Sequence, residues 1–262
     1  MEQIRKYSAA VVQASPVFLD KKATVEKACT LIKEAGKNGA KVIVFPETFI
    51  PTYPYWMRDL VDREPCYDVF VDYFHNSVTV PGKETEILAK AAKDAGVWVI
   101  VGISEAAGGT LYNSNLYISA DGQVLGTHRK LLPTFTERAI WGNGDGSTLH
   151  VFNSPYGKIG SLVFYEHHMP LTKFTMYSKG EQVHGASWPG LAHHNHVVDA
   201  ASRQYAFEGQ TFVLASACYI KENEIPKDFP LKDYMMKANG GSAIINPMGI
   251  CFAGPVYDSE TI

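Results

Sequence analysis

The chain of 262 residues is 46% hydrophobic and 19% charged, with 22 Gly and 14 Pro, a globular composition that excludes a fibrous or disordered protein. Its formal net charge of −3 argues against a surface for polyanions, which needs clustered cations, so nucleic acid is not an expected partner. No apolar run approaches the ~20 residues that span a bilayer and the start MEQIRKY lacks an apolar signal core, so a cytoplasmic protein with no membrane association is expected.

The first pattern in chain order is a strand at about Tyr7 to Gln13, followed by an Asp20 N-cap and a helix whose apolar face reads Val25, Ala28, Cys29, Ile32 and Ala35, closed by Gly36 or Gly39. Lys41 to Phe45 is a short continuous apolar run, expected as a strand buried on both faces. A second unit follows, with a helix from Glu84 to Ala95 presenting Ile87, Leu88, Ala91 and Ala95, a stop at Gly96 and an apolar strand from Val97 to Ile103. Hairpins are then expected at Gly108-Gly109 and Asp121-Gly122, flanked by strands at Thr110 to Ser119 and Gln123 to His128. Further strands are expected at Thr148 to Phe152, Lys158 to Tyr165, Gln182 to Ala186, Thr211 to Ala217 and Gly241 to Asn246, with helices after Pro170 and from about His194 to Glu208. No repeat or linker interrupts the pattern, so one domain over residues 1–262 with a mixed-sheet α/β fold is the expectation.

Four cysteines occur without a C-x-x-C pair, which predicts reduced, buried thiols. The histidines at 167, 168, 193, 194 and 196 lack the partner spacing of a metal site, and no G-x-G-x-x-G or P-loop follows any strand, so neither metal nor cofactor is expected.

Three segments put a polar or special residue just past an apolar strand, where ligand crevices of open α/β folds lie. Glu47, in Phe45-Pro46-Glu47-Thr48-Phe49, is a candidate general base, or else an ion-paired structural carboxylate. Lys130, in His128-Arg129-Lys130-Leu131, could stabilise a developing anion or sit on a solvated loop. The third segment, Gly160-Ser161-Leu162-Val163-Phe164-Tyr165-Glu166, resembles the strand-to-turn motif G-x-L-x-C-W-E of the nitrilase branch of the carbon-nitrogen hydrolases.

The segments around Glu47 and Lys130, Thr136-Glu137-Arg138 leading to Trp141-Gly142-Asn143-Gly144, and His184 to Pro189 follow in that family's order, so the resemblance runs from about Ser8 to Tyr257. It implies an α-β-β-α sandwich, subunits that pair into a homodimer or a spiral homo-oligomer, and hydrolysis of an organic nitrile to a carboxylic acid and ammonia with side chains alone. By the same resemblance Glu47 is the general base, Lys130 the cation at the tetrahedral intermediate and Glu137 a second glutamate that positions lysine and substrate. The aromatic stretch Tyr53-Pro54-Tyr55-Trp56, together with Tyr165 and Trp188, is expected either to bind an aryl or arylaliphatic substrate or to be ordinary core packing.

Two departures qualify these expectations. The nucleophile position is Phe164, which has no lone pair to attack a nitrile carbon, and Cys218 is the one cysteine that could stand near the crevice. The chain also stops at Ile262, where the resemblance implies a further strand and tail. A catalytically impaired nitrilase is therefore expected, against a non-catalytic binding or assembly subunit on the same fold, or a member that hydrolyses cyanide or amides.

Overall fold

Asp20 opens the first helix by accepting a hydrogen bond from the Ala23 amide, which satisfies one of the orphan donors of the first turn. That helix, α1 (Lys21–Lys37), runs to Asn38 and is followed by Gly39 at φ +90°. It connects β1 (Ser8–Val11) to β2 (Ala40–Val44), and the two strands pair in parallel, as a helical crossover requires. The computed structural model describes residues 6–57 and 64–262.

After α2 (Glu64–His75) comes α3 (Lys83–Ala95), ended by Gly96 in the left-handed conformation. Then β3 (Trp98–Ala107) pairs in parallel with β2, and the meander β4 (Thr110–Ile118) and β5 (Val124–Arg129) completes a first sheet in the order β1-β2-β3-β4-β5. The second sheet contains β6 (Val151–Ser154), β7 (Gly157–Val163), β8 (Val183–Trp188), β9 (Phe212–Ala217), β10 (Gly240–Ile245) and β11 (Cys251–Tyr257), ordered β11-β10-β9-β8-β7-β6. Its strands β7, β8 and β9 are parallel, with α4 (Pro170–Ser178) and α5 (Asn195–Gly209) as the crossovers.

Four layers result. One core lies between α1, α3 and the first sheet, around Ile32, Leu88, Ile43 and Val101. A second lies between the sheets, where Val42, Val44 and Ile100 meet Ile159, Val183 and Leu214. A third joins the second sheet to α4 and α5 through Leu162, Met176, Val198 and Tyr205. This is the α-β-β-α sandwich, and each sheet is mixed. Among the described residues no helix is long and apolar enough to cross a membrane.

Several local expectations need correction. The inner face of α3 is Leu88, Ala89 and Ala92, whereas Ile87 is exposed and Ala91 and Ala95 only flank the core. The strand expected from Thr148 starts at Val151 after a short turn at Gly146–Thr148, and the one expected to reach Tyr165 ends at Val163. Of the four free cysteines only Cys218 is buried, because Cys29 and Cys251 lie on elements whose outer faces are half exposed and Cys66 sits on α2. Finally, residues 251–257, for which no strand is expected from the sequence, form β11, an edge strand paired to β10, where a proline without an N–H is tolerated.

Candidate active site

Every strand that carries a predicted site residue ends at the same rim of the sandwich. Glu47 follows β2, Lys130 is the residue after β5, and Phe164 is the residue after β7. The two sheets are joined there by hydrogen bonds from the Glu47 amide to the Trp188 carbonyl, 3.3 Å, and from the Ser187 hydroxyl to the Phe45 carbonyl, 3.1 Å.

The Lys130 ammonium donates to Glu47 Oε1 at 3.0 Å and to both oxygens of Glu137, at 2.9 and 2.7 Å. All three side chains are buried. Glu137 stands in a one-turn helix, Phe135–Ala139, where it also accepts from the Thr134 amide at 2.6 Å and from the Tyr53 hydroxyl at 2.8 Å. Glu47 Oε1 takes a further bond from Asn113 Nδ2 on β4, at 2.6 Å, while Glu47 Oε2 has no partner. Two carboxylates thus share one ammonium away from water. Burial pushes the Glu47 carboxyl up to about 8, against the pull of Lys130 and with the help of Glu137, while Lys130 is held above its usual range because its two carboxylates outweigh desolvation. Such a carboxyl has the proton affinity of a working base rather than of a surface glutamate.

Phe164 closes the site. Its ring centroid is 5.0 Å from Lys130 Nζ, a cation-π contact, and it packs edge-on against Trp188 at 5.8 Å. Its backbone is at φ +40°, a left-handed conformation that is a strained choice for a bulky residue and marks a sharp strand-to-turn elbow. The residues expected to bind substrate are distributed differently. Tyr53 is buried, with its hydroxyl spent on Glu137, and Trp188 is fully buried and stacked on His167 at 4.5 Å. Tyr165 is 47% exposed and stands beside Phe164 at the rim. Cys218 lies against the Ala14 carbonyl, and burial pushes its thiol up to about 12, which disfavours the thiolate that a nucleophile needs. Among the described residues no group of three His, Cys, Asp or Glu side chains could hold a metal.

Two residues essential to this geometry carry no sequence signal of chemistry. Asn113 is one polar residue among several on β4. Gly102, on β3, lies under the Glu47 turn, where an added Cβ would stand 2.1 Å from the Pro46 carbonyl oxygen, 2.5 Å from the Thr48 nitrogen and 2.8 Å from Glu47 Cα. All three are backbone atoms, so no side-chain rotation relieves the clash. The substitution Gly102→Ala is expected to lower stability by about 3 kcal/mol or more and to move Glu47 off Lys130. A thermal midpoint unchanged from the parent would show that the turn can lift freely.

Comparison with known proteins bears on the family and the fold. The carbon-nitrogen hydrolase family model matches residues 8–262. An aliphatic nitrilase of Sinorhizobium fredii is 41% identical over 98% of this chain and 85% of its own length, and one of Rhodococcus rhodochrous is 39% identical over 99% of this chain and 74% of its own. Nitrilase 3 of Arabidopsis thaliana is 39% identical over 95% of this chain and 75% of its own length. Among solved structures, a Saccharomyces cerevisiae member of branch 10 of the nitrilase superfamily superposes with a TM-score of 0.78 at 20% identity, covering 99% of this chain and 90% of that one.

Proposed function

The chain belongs to the nitrilase branch of the carbon-nitrogen hydrolase family, and we propose that its site is that of an organic-nitrile hydrolase in which Phe164 fills the nucleophile position and suppresses turnover. The observation that carries this reading is the unpartnered Glu47 Oε2 in a dry site beside the Lys130 ammonium, with an apolar ring on the elbow residue where a proton-giving nucleophile would complete the set.

In the reaction the family performs, a thiolate at the elbow adds to the nitrile carbon. Glu47 takes the thiol proton, and Lys130 faces the charge that develops on the substrate. A first water adds to the resulting thioimidate and ammonia leaves to give a thioester, and a second water then releases the acid and the thiol. Phe164 supplies neither electron pair nor proton, and its ring occupies the space above Lys130. Loss of a hydrolase nucleophile costs on the order of 10⁶ in turnover. An ammonia assay on the parent chain with aliphatic and aromatic nitriles is therefore expected to show essentially no release. Ordinary enzymatic rates would overturn the assignment of Phe164.

A second reading, a non-catalytic binding or assembly subunit, is favoured by one observation: the Phe164 ring already caps the Lys130 cation, so the trio is sealed as a structural unit. Both readings include self-association. The outer face of α4 and α5 exposes Leu171 at 82%, Phe174 at 67% and Phe207 at 56%, large apolar groups that a second subunit would cover. Light scattering is expected to show a dimer or larger at micromolar concentration, and a clean monomer would remove this part of the reading.

A further inference from the structure

Glu166 lies two residues beyond Phe164 on the turn after β7, and it is fully buried. Its Oε1 accepts from the Leu131 amide at 2.9 Å, and its Oε2 accepts from the Val163 amide at 2.8 Å and from His128 Nε2 at 2.8 Å. Burial works to raise this carboxyl, but His128 and the two amides hold it below the usual carboxylate range. His128 is anchored in turn, because its Nδ1 faces the Thr148 carbonyl at 3.1 Å, an oxygen that can only accept.

The identity of the two amides is the informative point. Val163 immediately precedes Phe164, and Leu131 immediately follows Lys130. The first belongs to the second sheet and the other follows a strand of the first, so one carboxylate ties together the backbone on either side of the site. A capping role at the elbow accounts for the Val163 bond alone; the Leu131 bond reaches across the sandwich.

We propose that Glu166, anchored by His128, is a positioning residue that sets the separation between the side chain at position 164 and the Lys130 ammonium. Glutamine at 166 keeps one acceptor but turns an NH₂ toward an amide or an imidazole that donates, so it cannot satisfy both sheets at once. The elbow and the lysine strand would then be free to separate, and a displacement of about 1 Å between reacting groups costs on the order of 10² in rate.

The proposal rests on the nitrilase reading, and its test is arranged to separate the two. In a Phe164→Cys background, E166Q is expected to lower kcat for nitriles by about 10²-fold while KM stays within about threefold, per mole of folded protein. Alkylation of the introduced thiol by iodoacetamide is expected to slow by about tenfold, because Lys130 no longer stands close enough to favour the thiolate. A residue of purely structural importance would reduce the yield of folded protein or its melting temperature and leave both rates unchanged. Should E166Q not fold, His128→Gln, which removes only the anchor, is expected to lower kcat and the alkylation rate by about fivefold. Unchanged rates in a folded E166Q, or in His128→Gln where E166Q fails, would overturn the proposal. If the Phe164→Cys protein hydrolyses no nitrile, the nitrilase reading falls and the alkylation rates alone decide the role of Glu166.

Discussion

Phe164→Cys is expected to convert a protein that releases no ammonia into one that hydrolyses organic nitriles, with a gain on the order of 10⁴ to 10⁶ in turnover. The elbow backbone already holds residue 164 at φ +40°, and the shorter side chain vacates the ring position 5.0 Å from Lys130 Nζ. Glu47 Oε2 has no other partner, and a carboxyl pushed up to about 8 lies near a thiol in proton affinity, so transfer between them is close to balanced. Lys130 then favours the thiolate and the negative charge of the adduct. The substitution removes a buried ring that packs on Trp188 and Tyr165, which costs up to about 3 kcal/mol, so circular dichroism must accompany the ammonia assay. A panel of aliphatic and aromatic nitriles reports the substrate class at the same time. A folded variant silent on every nitrile would favour the binding-subunit reading.

The residues legible in the sequence share one property: each lies directly past an apolar strand, and the family resemblance supplies a role for it. Glu47, Lys130 and Phe164 are of this kind, and the structure brings them together with Glu137. What escaped the sequence acts between strands that are distant along the chain. Asn113 reaches Glu47 from the middle of a strand, Gly102 matters through a missing Cβ, and Glu166 acts through amides of two different sheets. Asn113 and Gly102 have no local periodicity or spacing that could reveal them, and Glu166, though it stands in the quoted motif, shows its role only through the two amides it accepts from. The aromatic residue Tyr53 shows the converse, since a tyrosine near a catalytic motif reads as a pocket wall, whereas its hydroxyl is committed to Glu137. The missed β11 has a similar cause: an edge strand with exposed apolar residues and a proline lacks the alternation that marks a half-buried strand.

The same burial that primes Glu47 predicts a stability that depends on pH. Burial is the main reason that the folded Glu47 carboxyl is pushed up to about 8, so the native state holds a proton that the unfolded chain releases above about pH 4.3. Because the folded value is the higher one, this contribution is fully present below about pH 4.3 and is lost as pH rises through about 8. At about 1.4 kcal/mol per pH unit the interval amounts to roughly 4 to 5 kcal/mol. Glu47→Gln keeps an acceptor for Lys130 and Asn113 but has nothing to deprotonate, and it leaves Lys130 paired one to one with Glu137 at 2.7 Å. Its melting temperature is therefore expected to match that of the parent near pH 5 and to exceed it by roughly 5 to 15 °C at pH 9. Lys130→Met gives the opposite result, because it leaves two buried carboxylates without a cation: a loss of about 3 to 5 kcal/mol at pH 8, partly recovered as the pH falls and protons replace the ammonium. Calorimetric scans of the three proteins between pH 5 and 9 decide the matter. Parallel curves for the parent and Glu47→Gln would mean that Glu47 is an ordinary ion-paired carboxylate, and with that its assignment as the base would fall.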